Sequence, residues 1–470
     1  MNKSTGLAVA LAAALATAGC ATLVPPLPEA KPQIRQAWPV PAETGGTADG
    51  TAAVINVGWR DVLVDARLER VVEQALANNR DLRVAMLNVE RARAQYRIQR
   101  AARVPAIGAN AAMERTGGDV PTSETYTASV GLASFELDLF GRVRNLSEAA
   151  LQQYFAQEEN RRAAQITLIG TVANAWMTLA ADQSLLVIAG DTLAAQEASL
   201  RLTERRHALG AVSGLVLAQA RTQVETARAD QARYLGRIEQ DRHALDLLAG
   251  APVADTDLPQ GFEDGLVAMT ALPSGLPSEL LLRRPDIQSA EHVLRGANAN
   301  IGAARAAFFP SISLTAGAGS MSGDFSGLFD AGTRFWRFSP QVNLPIFQGG
   351  ALRANLGMAT ANRDIALANY EKAIQSGFRE VADAISLGAT LAEQRAAAER
   401  LLAAAQQAER LSKARYDAGY DSYLTLLDAQ RTRYAAQQGL VAARLAEQAN
   451  RIALYSAVGG GWQAEADDSP

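Results

Sequence analysis

The chain has 470 residues, of which 48% are hydrophobic and 20% are charged, and its formal net charge is −4. This composition excludes a wholly disordered chain, and the lack of a basic excess argues against a nucleic-acid-binding protein. The single cysteine excludes an internal disulfide and a zinc site built from cysteines. Length alone would predict about three ordinary globular domains.

The N-terminus has the pattern of a bacterial lipoprotein signal. Lys3 precedes a small-residue apolar stretch at 7–16, which is too short to cross a bilayer as a helix. The small residues TAG then stand directly before Cys20, as in a lipobox, where the cysteine becomes the lipid-modified first residue. We therefore predict a signal peptide at 1–19 and lipidation of Cys20. The alternative is an ordinary secretory peptide with an incidental cysteine.

The residues after the cysteine predict the destination of the chain. Ala21 stands where lipoproteins of the inner membrane usually carry Asp, which is consistent with export to the outer membrane. Residues 20–62 are rich in Pro, Gly and Thr, a composition typical of extended chain. We predict that this acylated segment lies on another surface of the protein and forms no domain of its own.

The remainder of the chain reads as a duplication. Residues 201–222 align with 410–431, with Arg206 matching Arg415 and Gly210 matching Gly419. A weaker block aligns 81–105 with 286–310. The predicted boundaries are repeat 1 at 63–250, an inter-repeat linker at 251–276, repeat 2 at 277–462 and a C-terminal tail at 463–470.

Each half contains two short stretches in which apolar and polar residues alternate, as in strands with one apolar face. They lie at 105–116, 126–139, 311–318 and 336–344. Their length suits a tilted membrane strand, although a half-buried soluble sheet alternates in the same way, and the export signal favours the membrane. Because four strands cannot close a barrel, several chains would have to share one; three chains would supply twelve strands.

Very long helices follow the strands. No proline interrupts the chain from Gly141 to about Gly190, and a second helix is predicted from Gly214 to about Ala249. From Leu217 to Leu248 its mostly apolar residues keep a 3-4 spacing, which is typical of a narrow coiled-coil seam. This pattern favours a tube of helices that is wet inside and outside; the alternative is an ordinary antiparallel coiled-coil hairpin.

Several motifs are long enough to carry a family resemblance. They are LPSELLLRRPDIQSAEHVLRGANANIGAARAAFFPSISL at 276–314, SFELDLFGRVR at 134–144, RYDAGYDSYLTLLDAQR at 415–431 and GGGW at 459–462. Through them the chain resembles the outer membrane factors, the TolC-like channels of tripartite efflux systems, in their lipoprotein branch. The resemblance implies an α+β membrane protein with internal structural duplication. Its homotrimer would form a 12-stranded β-barrel continuous with a long periplasmic α-helical barrel.

The resemblance also implies a gate at the periplasmic end of the tunnel. The family's Tyr-Leu-x-x-x-Asp motif matches residues 423–428. Carried over, Leu424 would form an apolar ring and Asp428 a ring of three carboxylates. Arg415 and Tyr416 match family positions that hold the closed state.

The first repeat lacks an equivalent acid at the gate. Its residues matching Leu424 and Asp428 are Leu215 and Gln219, so only one repeat would supply carboxylates. Three carboxylates in a narrow pore should repel one another and attract cations.

No catalytic constellation is recognisable. His207, His243 and His292 lack the spacing of metal ligands, and solvated helix-face positions are expected for them. We predict that the protein is not an enzyme, binds no metal, and carries no cofactor other than a covalent lipid.

The predicted function is that of a passive exit duct in the outer membrane, lipid-anchored and extending into the periplasm. It would carry small amphiphilic compounds from an inner-membrane pump of the resistance-nodulation-division class, through a periplasmic adaptor (a membrane fusion protein). The alternatives are a duct for metal ions or secreted proteins, and a structural coiled-coil lipoprotein of the envelope.

Overall fold

The computed structural model describes residues 22–34, 58–268 and 278–461, which fall into two compact units. The predicted signal peptide, Cys20, most of the extended segment and the C-terminal tail lie outside the described residues. Within the described part, unit 1 comprises 22–32, 86–159 and 288–373, and unit 2 comprises 33–34, 58–85, 160–268, 278–287 and 374–461.

Helices dominate the chain, and the strands come in two consecutive pairs. In chain order the elements are α1 (Trp59–Val62), α2 (Ala66–Asn78), α3 (Arg80–Ala101), β1 (Ile107–Thr116), β2 (Ser123–Leu137), α4 (Arg142–Ala208), α5 (Gly214–Ala249), α6 (Pro285–Ala306), β3 (Ser311–Ser322), β4 (Arg334–Asn343), α7 (Ala351–Asp417) and α8 (Tyr423–Ala457). From α3 to α5, and again from α6 to α8, a helix is followed by two strands and two long helices.

The four predicted strands are confirmed with small changes at their ends. They form one antiparallel sheet in the order β1-β2-β3-β4. β2 begins earlier than predicted and β3 extends further, because each gains paired residues next to the connecting loops. The sheet belongs to unit 1.

The first long helix is longer than its sequence indicated. The prediction ended it near Gly190, but α4 continues to Ala208 and has 67 residues, as many as α7. Gly190 lies within the helix, where a Cβ atom would meet only the side-chain amide of Gln231 at 3.5 Å. A single glycine costs a helix interior only about 1 kcal/mol relative to alanine, which long-range packing outweighs.

The predicted bounds of α5 are confirmed, and local chemistry explains them. The Ser213 hydroxyl accepts a hydrogen bond from the backbone N–H of Val216 and caps the first turn. Gly250 ends the helix with φ of +72°, where a Cβ atom would lie 2.4 Å from the carbonyl oxygen of Asn78. In the second half, Ser422 caps α8 in the same way.

Within unit 2, the long helices pack as two antiparallel hairpins that contact each other. Arg228 of α5 lies 3.0 Å from Glu197 of α4, and Arg433 of α8 lies 2.6 Å from Glu409 of α7. Between the hairpins, the Tyr434 hydroxyl donates to Asp230 at 2.9 Å. Every seam position from 217 to 248 is buried or half-buried, which confirms the predicted coiled-coil face.

The core of unit 2 also includes part of the predicted linker. Val267 is fully buried, its carbonyl oxygen accepts from Arg451 at 2.9 Å, and its N–H donates to Gln448 at 3.1 Å. Leu258, Leu266 and Val267 of the predicted linker are therefore part of the folded core, whereas many of its other described residues are exposed. Within the described chain, α4 is the one helix with an apolar window long enough to cross a membrane, and half of that window is buried. Trp176 of α4 belongs to the same core as Val267, so packing within unit 2 accounts for the apolar composition of the helix.

Candidate functional site

One face of the sheet is apolar from edge to edge. Pairing places Trp336 beside Ala318, Ala318 beside Val130, and Val130 beside Ala109. Away from the β1–β2 and β3–β4 loops, the side chains on this face share an apolar or aromatic character: Ile107, Ala109, Ala111, Met113, Tyr126, Ala128, Val130, Leu132, Ile312, Leu314, Ala316, Ala318, Trp336, Phe338, Pro340 and Val342. Next to those loops the same face is polar and carries Arg115, Glu124, Ser320, Ser322 and Arg334. Trp336 is 79% exposed and Val342 64% exposed within the single chain. A wide, exposed apolar sheet face of this kind is what a lipid-facing surface requires.

A bulge in β2 keeps that face apolar. The register shifts between Leu132 and Phe135, and Ser134 takes a positive φ of 53°. In a regular strand, alternate residues share a face, so Ser134 would lie on the face of Leu132. The extra residue of the bulge places Phe135 and Leu137 on that face instead. The sequence carried a signal for the bulge, since its apolar positions change from even to odd numbers at this point.

The two outer strands each have one unpaired side. β1 pairs only with β2, and β4 only with β3, within the described residues. An open row of backbone N–H and C=O groups is costly in hydrocarbon. This sheet is therefore incomplete as a membrane-spanning structure.

The predicted gate residues lie at the tip of the α7–α8 hairpin. Leu424 is 50% exposed, and Asp428, one turn further along α8, is exposed as well. Tyr423, Leu426 and Leu427 in the same turns are buried. The first turns of α8 thus point Leu424 and Asp428 away from the packing of their own hairpin, as pore-lining residues require.

Arg415 forms an ion pair within the hairpin turn itself. Its Nε lies 2.6 Å from Oδ2 of Asp421, and its second contact joins Nη2 to Oδ1 at 2.9 Å. This bidentate hydrogen bonding holds the pKa of the Asp421 carboxyl below its usual value. Asp421 was not identified from the sequence, although its position six residues after Arg415 spans the turn.

Tyr416 connects the two hairpins of the chain. Its ring packs against that of Tyr423 with centroids 5.8 Å apart, and its hydroxyl accepts from Arg206 at 3.3 Å. The Arg206 guanidinium also lies 5.7 Å from the centre of the Tyr416 ring. Tyr423 and Leu427 form a small apolar cluster with Ala220 of α5 beside it.

The structure therefore brings the predicted site residues together only in part. Arg415 and Tyr416 bond or stack with other residues near the tip, and among the described residues neither forms a hydrogen bond or ion pair with Asp428. In the other hairpin, the matching Leu215 is 68% exposed.

The segment that follows the predicted lipidation site lies along α6 within unit 1. Arg305 donates to the carbonyl oxygen of Leu23 at 3.1 Å, and Asn298 donates to that of Pro25 at 2.8 Å. Gly302 permits the approach, because a Cβ atom there would lie 2.6 Å from Cγ2 of Val24. This part of the predicted extended segment does lie on another surface of the protein.

One histidine differs from its prediction. His207 and His243 are exposed on helices, but His292 is half-buried, with Nδ1 2.7 Å from Oε1 of Gln152 and its ring 5.3 Å from that of Phe155. Burial lowers the pKa of His292. The described residues contain no cluster of three or more His, Cys, Asp and Glu side chains that could hold a metal ion.

An acidic pair between α4 and α5 was missed by sequence reasoning. Asp182 is 7% exposed, and burial together with this neighbouring carboxyl raises the pKa of Asp241 to about 6. Burial raises the pKa of Asp182 as well, against the opposing charge of Arg237, whose Nη1 lies 3.8 Å away. The available signal was Asp241 itself, a charged residue on the apolar seam.

Replacing Asp241 with asparagine is expected to stabilise the hairpin above about pH 6 by about 1 kcal/mol, after allowing for solvent screening. The folded-state pKa is raised, so the native protein binds more protons than the unfolded chain between about pH 4 and 6, and stability falls as pH rises through that window. Thermal midpoints followed by helical circular dichroism should lose this pH dependence in the variant. The exposed Glu239→Gln variant should keep it. An unchanged slope in Asp241→Asn would contradict the raised pKa of Asp241.

Comparisons with known proteins agree with this geometry. The family model described as outer membrane efflux protein matches residues 71–251 and 276–460. The chain is 45% identical over 453 residues to a probable efflux pump outer membrane protein, TtgC, of Pseudomonas putida, covering 94% of this chain and 93% of the relative. It is 42% identical to the outer membrane protein OprJ of Pseudomonas aeruginosa, covering 95% and 94% of the two chains.

A solved structure gives the same result. The open state of the MtrE outer membrane channel of Neisseria gonorrhoeae aligns with a TM-score of 0.86 at 39% identity, covering 94% of this chain and 99% of that one. The chain belongs to the outer membrane efflux protein family. It is an outer membrane channel component of a tripartite efflux system, which confirms the family, the outer-membrane location and the general function predicted above.

Proposed function

We propose that three copies of the chain form one closed channel, a passive exit duct for small amphiphilic compounds. The observation that carries the proposal is the four-stranded sheet with an apolar face and two unpaired edges. Such a sheet can lie in a membrane only when its edges are paired, and three copies would close a 12-stranded barrel. The repeated order of elements supports an origin by internal duplication, with repeat and linker boundaries as predicted above.

The helical hairpins suit the wall of a periplasmic tunnel. Their apolar seams are narrow, and ion pairs such as Arg228–Glu197 lie on exposed faces. Three copies would then form a helical barrel continuous with the β-barrel. Leu424 and Asp428 would line its periplasmic gate, and Arg415 and Tyr416 would act in the contacts that close it.

The N-terminal segment supports a lipid anchor near the membrane. Leu23 lies against Arg305 at the end of α6 that leads into β3, and Cys20 precedes Leu23 by three residues in the sequence. Acyl chains on Cys20 would add about 0.8 kcal/mol of membrane affinity per buried methylene. Detection of an unmodified Cys20 thiol by mass spectrometry of the mature protein would contradict this part of the proposal.

Substrate and partners follow from the system to which the chain belongs. Two relatives are named for the efflux of toluene and of antibiotics, which supports small, largely apolar cargo. The duct has no enzymatic role in this proposal, and the driving energy comes from an inner-membrane pump of the resistance-nodulation-division class through a periplasmic adaptor. Specificity then resides in the pump.

The lipid-facing assignment is tested by two neighbouring residues on opposite faces of β4. Phe338→Arg is expected to abolish stable trimers in the outer membrane, because arginine near the bilayer midplane costs about 2–4 kcal/mol per chain on a lipid face. Ser339→Arg, on the polar face, should be tolerated. The measurements are native mass in detergent and conductance in planar bilayers.

The same pair separates the proposal from a soluble sheet. Equal tolerance of the two variants, or a wild-type chain that is monomeric and forms no conducting pores, would overturn it.

A further inference from the structure

We propose that the free edge of β4 pairs antiparallel with the free edge of β1 of a second copy, in the one register that places Arg337 directly opposite Glu114. This inference rests on the trimeric channel proposed above. It specifies how the shared barrel is closed, which is not determined by the number of strands.

The faces of the two edge strands limit the register. On β4 the apolar face carries Trp336, Phe338 and Val342, and on β1 it carries Ala109 and Met113. In an antiparallel pair, directly opposite residues point to the same face. Even-numbered residues of β4 must therefore stand opposite odd-numbered residues of β1 if the lipid-facing surface is to continue across the junction.

A full overlap of the two ten-residue strands fails this condition. It would place Val342 opposite Gly108 and Phe338 opposite Ala112, so the apolar face of one strand would meet the polar face of the other. A shift of one residue in either direction restores the match and leaves nearly all of both strands paired. One shift places Val342 opposite Ile107, and the other places it opposite Ala109.

Charge selects between the two shifts. Arg337 and Glu114 are both exposed on the polar face, and neither has an ion pair among the described residues. With Val342 opposite Ala109, these two opposite charges stand directly across from each other. With Val342 opposite Ile107, Arg337 would face Ala112, and Glu114 would face the ring of Phe335.

The selected register is also favourable on the lipid side. Phe338 stands opposite Met113, a pairing of an aromatic ring with a flexible thioether that packs well. The polar face of the junction continues with Ser339 opposite Ala112 and Gln341 opposite Asn110. One free edge thus complements the other in polarity and charge, and the fitting occupant is a second copy of this chain.

Paired cysteines test the register in the full-length protein. Ser339→Cys with Ala112→Cys, and Val342→Cys with Ala109→Cys, should form disulfides between copies and give covalent trimers on non-reducing denaturing gels. The two pairs lie three residues apart, so one occupies a site without paired backbone hydrogen bonds, where the Cα atoms are closest. Within one chain, three strand spacings of about 4.8 Å separate the edges, too far for a disulfide.

Matched controls use the rejected register. Ser339→Cys with Asn110→Cys, and Val342→Cys with Ile107→Cys, should give little covalent trimer, as should each single cysteine in the presence of Cys20. Stronger cross-linking in these pairs, or native trimers with no cross-linking in any pair, would overturn the register. Absence of native trimers in the wild-type protein would instead overturn the proposed channel.

A charge exchange provides an independent readout. Arg337→Glu and Glu114→Arg alone should each lower the temperature at which trimers dissociate, by about 3 °C. The double variant restores opposite charges across the junction and should recover most of that loss. Additive losses in the double variant would show that the two side chains do not face each other.

Discussion

Replacing Arg284 with alanine is expected to lower the free energy of unfolding of the helical unit by about 2 kcal/mol, because it removes a buried guanidinium that bonds two half-exposed carboxylates and one backbone carbonyl. Arg284 is 7% exposed. Its Nη2 lies 2.8 Å from Oδ2 of Asp286 and 2.7 Å from Oε2 of Glu380, and its Nη1 donates to the carbonyl oxygen of Ala457 at 2.8 Å.

The geometry explains why an arginine is required there. Its fork joins the start of α6, the middle of α7 and the last turn of α8 within unit 2. Gly377 lets the backbone of α7 come close, since a Cβ atom there would lie 3.3 Å from Nε of Arg284. A lysine has one point charge and cannot donate in three fixed directions.

The measurement is the thermal midpoint of the helical circular dichroism signal in detergent. Arg283→Ala is the matched control, because that adjacent arginine is exposed and should change the midpoint little. Arg284→Lys should fall between wild type and Arg284→Ala. If Arg284→Ala and Arg283→Ala had the same thermal midpoint, the contacts of Arg284 would contribute nothing to stability.

The sequence predicted those parts of the fold that depend on local chemistry. Alternation located the four strands, and the 3-4 spacing from Leu217 to Leu248 located the buried face of α5. The predicted ends of α5 agree with the structure, in which Ser213 caps the helix and Gly250 ends it with a positive φ. The predicted end of α4 near Gly190 is wrong, because packing along a long helix outweighs one residue of low helix propensity.

Contacts between residues far apart in sequence could not be predicted. Arg284 and Ala457 are brought together by the chain topology, and the partner of Asp241 lies on another helix. The predicted gate motif is a different case, because the exposure of Leu424 and Asp428 follows from their positions on α8. Their partners in the assembly would come from other copies, which a single chain does not contain.

Replacing Asp428 with alanine is expected to raise single-channel conductance in planar bilayers severalfold. In the proposed trimer, three Asp428 side chains converge in a narrow aqueous pore, where they occupy space and attract cations that obstruct flow. Alanine removes both the volume and the charge. Asp428→Asn, which keeps the volume, should raise conductance less, while cation selectivity should fall in both variants because the fixed charge is lost.

Adding Arg415→Ala to Asp428→Ala should raise conductance further, because the ion pair of Arg415 with Asp421 bridges the hairpin turn next to the proposed gate. Loss of this bridge frees the turn to move outward, so open states become more populated. Lys413→Ala is the matched control, since Lys413 forms a similar exposed ion pair with Asp417 in the last turn of α7. Unchanged conductance in both Asp428→Ala and the double variant would place the constriction elsewhere in the tunnel.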